Sequence, residues 1–370
     1  MDGAHWSTEL SRRDFLRTGT LALGALGLAG MSIDLAACGV SSASSTNSSG
    51  PATLTVMTVG GSWGDSIKTL IAEPYASKHN GLTLAWDNRP NAQQIAAIQA
   101  MRGKPTVDTV EVGGPQLGNS VNLGLLDRID VSKVPNYAHV ADAFKDPYWA
   151  ARSIAPFVLA FNTTKVSKAE AESAGWKVLT NPELKGRVAI PAFDWQGEMW
   201  LNAINLALGG TYTNMNPAMS LAQSVIHSNS GVIMQSNDDG LSKFTTGEIW
   251  AAPFWTGRTY QLQDKGIPLD FVYPTGWSAY TFGFAVVKGT QHKDLVDGFI
   301  DYSLSPDVQL QIAKQFSYVP TLADMTIPAD LPRLKIASED WAKAAKIDWI
   351  QAAKQSDANL QAWNMQVIGS

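Results

Sequence analysis

Cysteine is almost absent from this sequence, which holds one, Cys38, in 370 residues. A single cysteine cannot form a disulfide within the chain or supply a cysteine-based metal cage. The sequence also has no paired cysteines, no His cluster and no H-E-x-x-H motif, so it predicts no metal site. We expect no cofactor.

A concentrated charge of one sign is also missing. The chain has 28 Lys and Arg against 33 Asp and Glu, for a formal net charge of -5, and no basic block stands out. Nucleic-acid binding needs a concentrated basic face, so nucleic acid is not an expected partner. The hydrophobic content of 45% is ordinary for a soluble globular protein, and the length leaves room for two or three domain-sized units.

The first fifty residues differ in composition from the rest. SRRDFLR (residues 11 to 17) is similar to a twin-arginine export signal, and an uncharged apolar stretch (residues 18 to 33) leads to LAAC, which resembles a lipobox. Asp34 departs from the usual lipobox surroundings. We expect residues 1–37 to be a signal peptide, Cys38 to carry lipid, and Ser-rich residues 38–52 to be a flexible tether. The mature chain would then be periplasmic or cell-surface and lipid-anchored.

Beyond residue 52, short apolar runs alternate with longer amphipathic segments. LTVMTV, TVDTVEV, SIAPFVLAF and EIWAAPFW are typical of strands, whereas DSIKTLIAEPYASK and SPDVQLQIAKQF are typical of helices. SEDWAKAAKIDWIQAAKQ places Trp341 and Trp349 on one face of a predicted C-terminal helix. The alternation predicts an α/β fold with mainly parallel sheets.

The stretch GGSWGD contains Gly60, Ser62 and Gly64 in the G-x-S-x-G spacing of a nucleophile elbow. In such hydrolases an earlier loop supplies an oxyanion-hole donor, but one strand at most fits between the tether and Ser62. The mature chain has four His, and none lies in a context that marks a general base. A secreted serine hydrolase using Ser62 is therefore an alternative hypothesis rather than the main one.

A second glycine-rich stretch, GGPQLGNS (residues 113 to 120), resembles a phosphate loop with Asn119 in place of the phosphate-binding Lys. Pro115 also removes one backbone donor. Nucleotide hydrolysis is therefore not expected. Glycines such as Gly61 and Gly114 can instead bring backbone amides to the rim of an open α/β sheet, where ligands bind.

With these loops in view, the chain resembles the extracellular solute-binding proteins of ABC importers, in the branch with polyamine- and ferric-ion-binding members. The resemblance is carried by GGSWGDSIKTLIAEPYASKHNGLTL, NPELKGRVAIPA, GEIWAAPFWTGRTYQLQDKGIPLDFVYP and DGFIDYSLSPDVQLQIAKQFSYVPT, in that order. It implies a two-lobe, type II periplasmic-binding-protein-like fold with a ligand cleft between the lobes. It also implies binding without catalysis, an ABC permease and ATPase as partners, and a monomer.

The resemblance further implies a division of the folded chain. Lobe 1 would comprise residues 53–155 and 284–316, and lobe 2 residues 156–283 and 317–370 with the C-terminal helices. Crossovers between the lobes are expected near residues 153–162, 281–288 and 316–321. Lobes joined in this way close as rigid bodies, and a ligand favours closure by contacting both.

Candidate ligand-binding residues fall into two chemical sets. Aromatic and acidic side chains suit an organic cation; these are Trp63, Trp195, Trp255, Trp277, Asp194 and Asp239. Ser62, the helix start after it and Arg258 suit an anion instead. A zwitterion would use both sets.

Two departures from the family narrow the choice of solute. Polyamine-binding members carry an acid just before the returning strand, where this chain has Tyr280, Thr281 and Phe282. Ferric-binding members use adjacent tyrosines, and no YY occurs. We therefore expect a small polar organic solute, an amine or an amino-acid-like molecule, with Tyr280 near it. A sensory lipoprotein that keeps the lobes without transport is a further alternative.

Overall fold

The computed structural model describes residues 52–101 and 103–369. The predicted signal peptide, Cys38 and the tether up to residue 51 lie outside these residues, and Ala52 already begins a strand. Among the described residues, no helix has the length and apolar character needed to cross a bilayer.

Twelve strands occur in the described residues. In chain order they are β1 (Ala52–Thr58), β2 (Leu82–Asn88), β3 (Thr109–Val112), β4 (Leu126–Asp127), β5 (Lys145–Asp146), β6 (Trp149–Asn162), β7 (Ala189–Pro191), β8 (Val232–Met234), β9 (Ala251–Trp255), β10 (Leu269–Val272), β11 (Ser278–Val287) and β12 (Val319–Pro320).

The α-helices of the same residues flank these strands. They are α1 (Gly61–Ile67), α2 (Glu73–Ser77), α3 (Asn91–Ala100), α4 (Gly114–Asn122), α5 (Lys168–Ala174), α6 (Glu198–Ala207), α7 (Asn216–Gln223), α8 (Asn237–Thr246), α9 (Thr256–Asp264), α10 (Lys293–Ser303), α11 (Pro306–Phe316), α12 (Ser338–Trp341), α13 (Trp349–Ala353) and α14 (Ser356–Trp363). Wider π-helical turns extend several of them, at Lys68–Ala72, Phe193–Gly197, Ser224–Ser228 and Asn364–Ile368.

Two long strands organise the sheet. β6 has 14 residues and β11 has 10, and they pair antiparallel in a mixed sheet whose main order is β10-β6-β11-β3-β1-β2. Parallel pairing is confined to β1 with β2, β1 with β3, and β7 with β8. The large sheet is thus mixed rather than mainly parallel, because β6 and β11 lie antiparallel to their neighbours, whereas the two-stranded β7–β8 sheet is parallel. Both contain segments that the sequence predicts as crossovers.

Four hydrophobic clusters lie along these strands in the described residues, and two of them are the largest. One gathers Leu54, Val56 and Phe284 with helix α10, and the other gathers Phe157 and Trp200 from β6 and α6. β6 contributes buried residues to both cores and therefore links them. The molecule is an α/β protein with the two-lobe, type II architecture.

The C-terminal region departs from the predicted single helix. Trp341 ends α12 and Trp349 begins α13, so the two rings do not share one helical face. The segment between them contacts the core that contains Phe157 and Trp200. There the Ala345 amide donates to the carbonyl of Trp277 at 2.8 Å. Local periodicity in the sequence is therefore overridden here by a tertiary backbone contact.

Candidate functional site

The GGSWGD glycines serve a tight strand-to-helix turn. Gly61 has a φ of 70°, a left-handed conformation that favours glycine. A Cβ on Gly64 would lie 2.5 Å from the carbonyl oxygen of Val59, so the helix can start this close to β1 only with glycine there. The turn carries Trp63 to the edge of a cavity.

A buried carboxylate holds this turn. Glu111, 6% exposed on β3, accepts a hydrogen bond from Thr58 Oγ1 at 2.5 Å and another from Trp63 Nε1 at 2.8 Å. Its other oxygen pairs with the guanidinium of Arg152, which lies on β6 and is fully buried. Spacing within the sequence gives no signal for this cluster, because its members are separated by up to 94 positions.

Four rings form one wall of the cavity around Trp63. Trp63 contacts Phe282 with 4.6 Å between ring centroids and Phe316 with 4.9 Å, while Tyr318 stacks on Phe282 at 5.1 Å. Burial raises the pKa of Tyr318 to about 12; nearby Arg258 opposes this rise and Glu111 adds to it. Tyr318 therefore stays a neutral phenol at physiological pH.

A second wall is formed by two rings that lie next to Phe157 on β6. Trp255 ends β9, packs on Phe157 at 4.6 Å and donates its indole N–H to Asn237 Oδ1 at 2.7 Å. Trp195 stands edge-on to the same Phe157 at 6.3 Å. Asn237 is the first residue of α8. Its amide oxygen accepts the indole N–H of Trp255 and thereby restricts the orientation of that ring.

The cavity between these walls has a volume of about 520 Å³. Its charged lining consists of the buried Glu111, the exposed Asp194 and the half-buried Arg258, whose Nη1 donates to Gln261 Oε1 at 3.0 Å. The volume falls within the range typical of small-molecule sites, as does the mixture of apolar walls and few polar groups.

Six of the residues predicted from the sequence line this one cavity: Trp63, Asp194, Trp195, Trp255, Arg258 and Tyr280. The structure places Trp277 elsewhere, because it is fully buried and donates its indole N–H to the Asp340 carbonyl. Asp239 accepts from the Gln235 amide and pairs with Lys243.

The remaining predicted positions are backbone ones. Gly114 is buried against the rings of Trp349 and Tyr280 rather than on the cavity wall, Gly61 lies in the turn, and the side chain of Ser62 lies outside the described part. Sequence reasoning missed Glu111, Asn237, Phe282, Phe316 and Tyr318. The available signals were two predicted crossovers, residues 281–288 with Phe282 and residues 316–321 with Phe316 and Tyr318, and neither was predicted as a site.

The described histidines lie away from this cavity. His79 bonds the Tyr75 carbonyl, His139 bonds Asp324, His227 bonds the Gln366 carbonyl and His292 bonds Asp108. None of these described histidines lies at the turn that carries Ser62, so they give no support to the hydrolase hypothesis. Nor does the described part of the chain contain a group of three His, Cys, Asp or Glu able to hold a metal ion.

Comparison with known proteins identifies the family of this chain. Residues 111–353 match the family model described as bacterial extracellular solute-binding protein. The chain belongs to this family. Among curated relatives of this solute-binding protein, a gamma-aminobutyric acid-binding protein of Pseudomonas aeruginosa is 22% identical over 84% of the chain and 90% of the relative.

A second relative is the spermidine/putrescine-binding periplasmic protein of Escherichia coli. It is 24% identical over 54% of this chain and 59% of its own length. Among solved structures, an ABC transporter crystal structure from Clostridium perfringens aligns with a TM-score of 0.72 and 22% identity, over 85% of this chain and 99% of that one. This likeness shows the shared two-lobe fold.

Proposed function

We propose that this solute-binding protein is the receptor of an ABC importer and captures a small zwitterionic, amino-acid-like solute between its lobes. The observation that carries the proposal is the 520 Å³ cavity, which has one aromatic wall around Trp63, another around Trp255, and charges of both signs in its lining. A solute that touches both walls favours the closed state, as import requires.

The two ends of such a solute have separate partners. A carboxylate suits the Arg258 guanidinium, since charge-assisted hydrogen bonds to a planar fork are strong. An ammonium suits Asp194 together with the faces of Trp195 and Trp255, through charge pairing and cation–π attraction. The P. aeruginosa relative binds a molecule of this kind by its name, which supports the assignment.

A diamine fits this cavity less well. Arg258 would face a second ammonium group, and Glu111 is already paired with Arg152, so it offers little net negative charge. Tyr280 and Phe282 stand where polyamine-binding members carry an acid. We therefore infer a preference for gamma-aminobutyrate-like molecules over putrescine-like ones.

Titration calorimetry with gamma-aminobutyrate, putrescine and succinate tests this proposal. Arg258→Gln should raise the Kd for gamma-aminobutyrate by about tenfold or more, because a hydrogen bond to a charged group is lost. Arg128→Gln, at an exposed arginine outside the cavity, is the matched control and should leave the Kd unchanged.

The ammonium end has its own pair of variants. Asp194→Asn should weaken gamma-aminobutyrate and spare succinate, whereas Asp330→Asn, at another exposed acid, should do neither. If wild-type protein binds none of the three probes, or if Arg258→Gln and Arg128→Gln behave alike, the proposed solute class is wrong.

Export and anchoring belong to the same proposal. We infer that residues 1–37 direct export, that Cys38 receives lipid, and that the closed receptor delivers its solute to a permease as a monomer. Cys38→Ala should then shift the protein from the membrane fraction to the soluble fraction. Equal membrane retention of both forms would contradict the anchor.

A further inference from the structure

We propose that Glu111, paired with Arg152, is a positioning residue that holds the glycine turn and the Trp63 ring in the geometry that receives the solute. Glu111 accepts from Thr58, the last residue of β1, and from Trp63, the third residue of α1. One side chain from the neighbouring strand β3 thereby joins both ends of residues 59–62. The glycines make this turn possible but flexible, and the carboxylate restricts it.

Arg152 ties this clamp to the strand that links the lobes. Its guanidinium lies 4.7 Å from the Phe284 ring and 5.7 Å from the Trp63 ring, and it is fully buried. The Nε and Nη1 atoms of Arg152 have no hydrogen-bond partner among the described residues. Glu111 therefore compensates the buried charge of Arg152, and such compensation is needed because an unpaired buried charge is strongly destabilising.

The pair also determines which charge the cavity presents. Together Glu111 and Arg152 are neutral, so Asp194 and Arg258 remain the charges that a solute meets. If Glu111 is replaced by the uncharged Gln, Arg152 becomes an unpaired cation next to the aromatic wall. The cavity should then repel ammonium groups and tolerate carboxylates, a change that loss of packing alone would not produce.

The position of Trp63 can be observed without a solute. The indole N–H of Trp63 donates to a carboxylate, and such charge-assisted bonds are stronger than bonds to neutral amides. In a proton–nitrogen-15 correlation NMR spectrum, the signal of the Trp63 indole N–H should move upfield in the proton dimension in the Glu111→Gln variant. The Trp63→Phe variant, which lacks this signal, identifies it. Asp297→Asn is the matched control, because Asp297 is a fully buried acid paired with Lys293 outside the cavity.

The binding arm rests on the proposed function and uses gamma-aminobutyrate and putrescine as probes. Glu111→Gln should weaken gamma-aminobutyrate about tenfold and putrescine more, because putrescine carries two positive charges. The double variant Glu111→Leu with Arg152→Met removes both charges and replaces a buried ion pair by apolar groups, an exchange that often preserves stability. It should fold and bind both probes more weakly than wild type by about the same factor, because no unpaired Arg152 charge remains and Arg258 and Asp194 are unchanged.

Each outcome decides the matter. Wild-type affinity in the Glu111→Leu, Arg152→Met variant would show that the pair is merely structural and would overturn the inference. An unmoved Trp63 indole signal in Glu111→Gln would overturn it as well. If wild-type protein binds neither probe, the proposed solute class fails, while the NMR arm still decides whether Glu111 positions Trp63.

Discussion

Replacing Trp195 by alanine is the sharpest test of the aromatic wall. Trp195 is half-buried, lines the cavity and has Phe157 as its ring neighbour at 6.3 Å. Trp255 is a poorer probe, because it is 6% exposed and packs closely on Phe157. Truncating a buried Trp to Ala costs about 3 to 5 kcal/mol of stability, which would confuse binding with folding.

The expected loss of affinity follows from the contact that Trp195 would make. A cation over an indole face contributes about 0.5 to 2 kcal/mol, which corresponds to an increase of about 2- to 30-fold in the Kd for gamma-aminobutyrate. Titration calorimetry measures this change directly. The thermal midpoint of the unliganded variant should fall less than that of Trp255→Ala, since the Trp195 side chain is only partly buried.

Trp250→Ala is the matched control for Trp195→Ala. Trp250 is also a half-buried tryptophan, but it lies outside the cavity and contacts Lys165 and Arg187. It should leave the Kd unchanged. Equal affinities of Trp195→Ala and wild-type protein, or an equal loss in Trp250→Ala, would refute the assignment of Trp195 to the binding wall.

Two further predictions concern stability. Burial raises the pKa of Glu198, so the stability that its bound proton brings is present below the unfolded pKa of about 4.3 and is lost as the pH rises through the folded value. Glu198→Gln should therefore be more stable than wild type at pH 7 but not at pH 4 by urea denaturation, and Glu172→Gln, at an exposed acid, should show no such difference. A Cβ on Gly113 would overlap the Thr281 carbonyl oxygen, so Gly113→Ala should lose about 2 kcal/mol or more in the same assay. An unchanged free energy of unfolding in the Gly113→Ala variant would contradict this prediction and would mean that β3 and β11 can move apart at little cost.

Much of the fold was predictable because its signals are local. Apolar runs and amphipathic segments predicted strands and helices, including α11, which lies within the predicted helix SPDVQLQIAKQF. The segments predicted as crossovers became β6, β11 and β12. Parallel pairing was predicted from the alternation of elements, and the structure corrected it, because strand direction depends on which distant strands become neighbours.

The sequence by itself determined the α/β class, the glycine turn and several of the aromatic and charged side chains that meet at the cavity, since composition and spacing are local properties. Only the tertiary structure decided that Trp277 lies in a core while Trp255 faces the cavity, although the sequence places both in the same set of candidate ligand-binding residues. It also brought Glu111 and Arg152 to Trp63. The physical reason is that burial and ion pairing depend on contacts between residues distant in sequence, which no local pattern records.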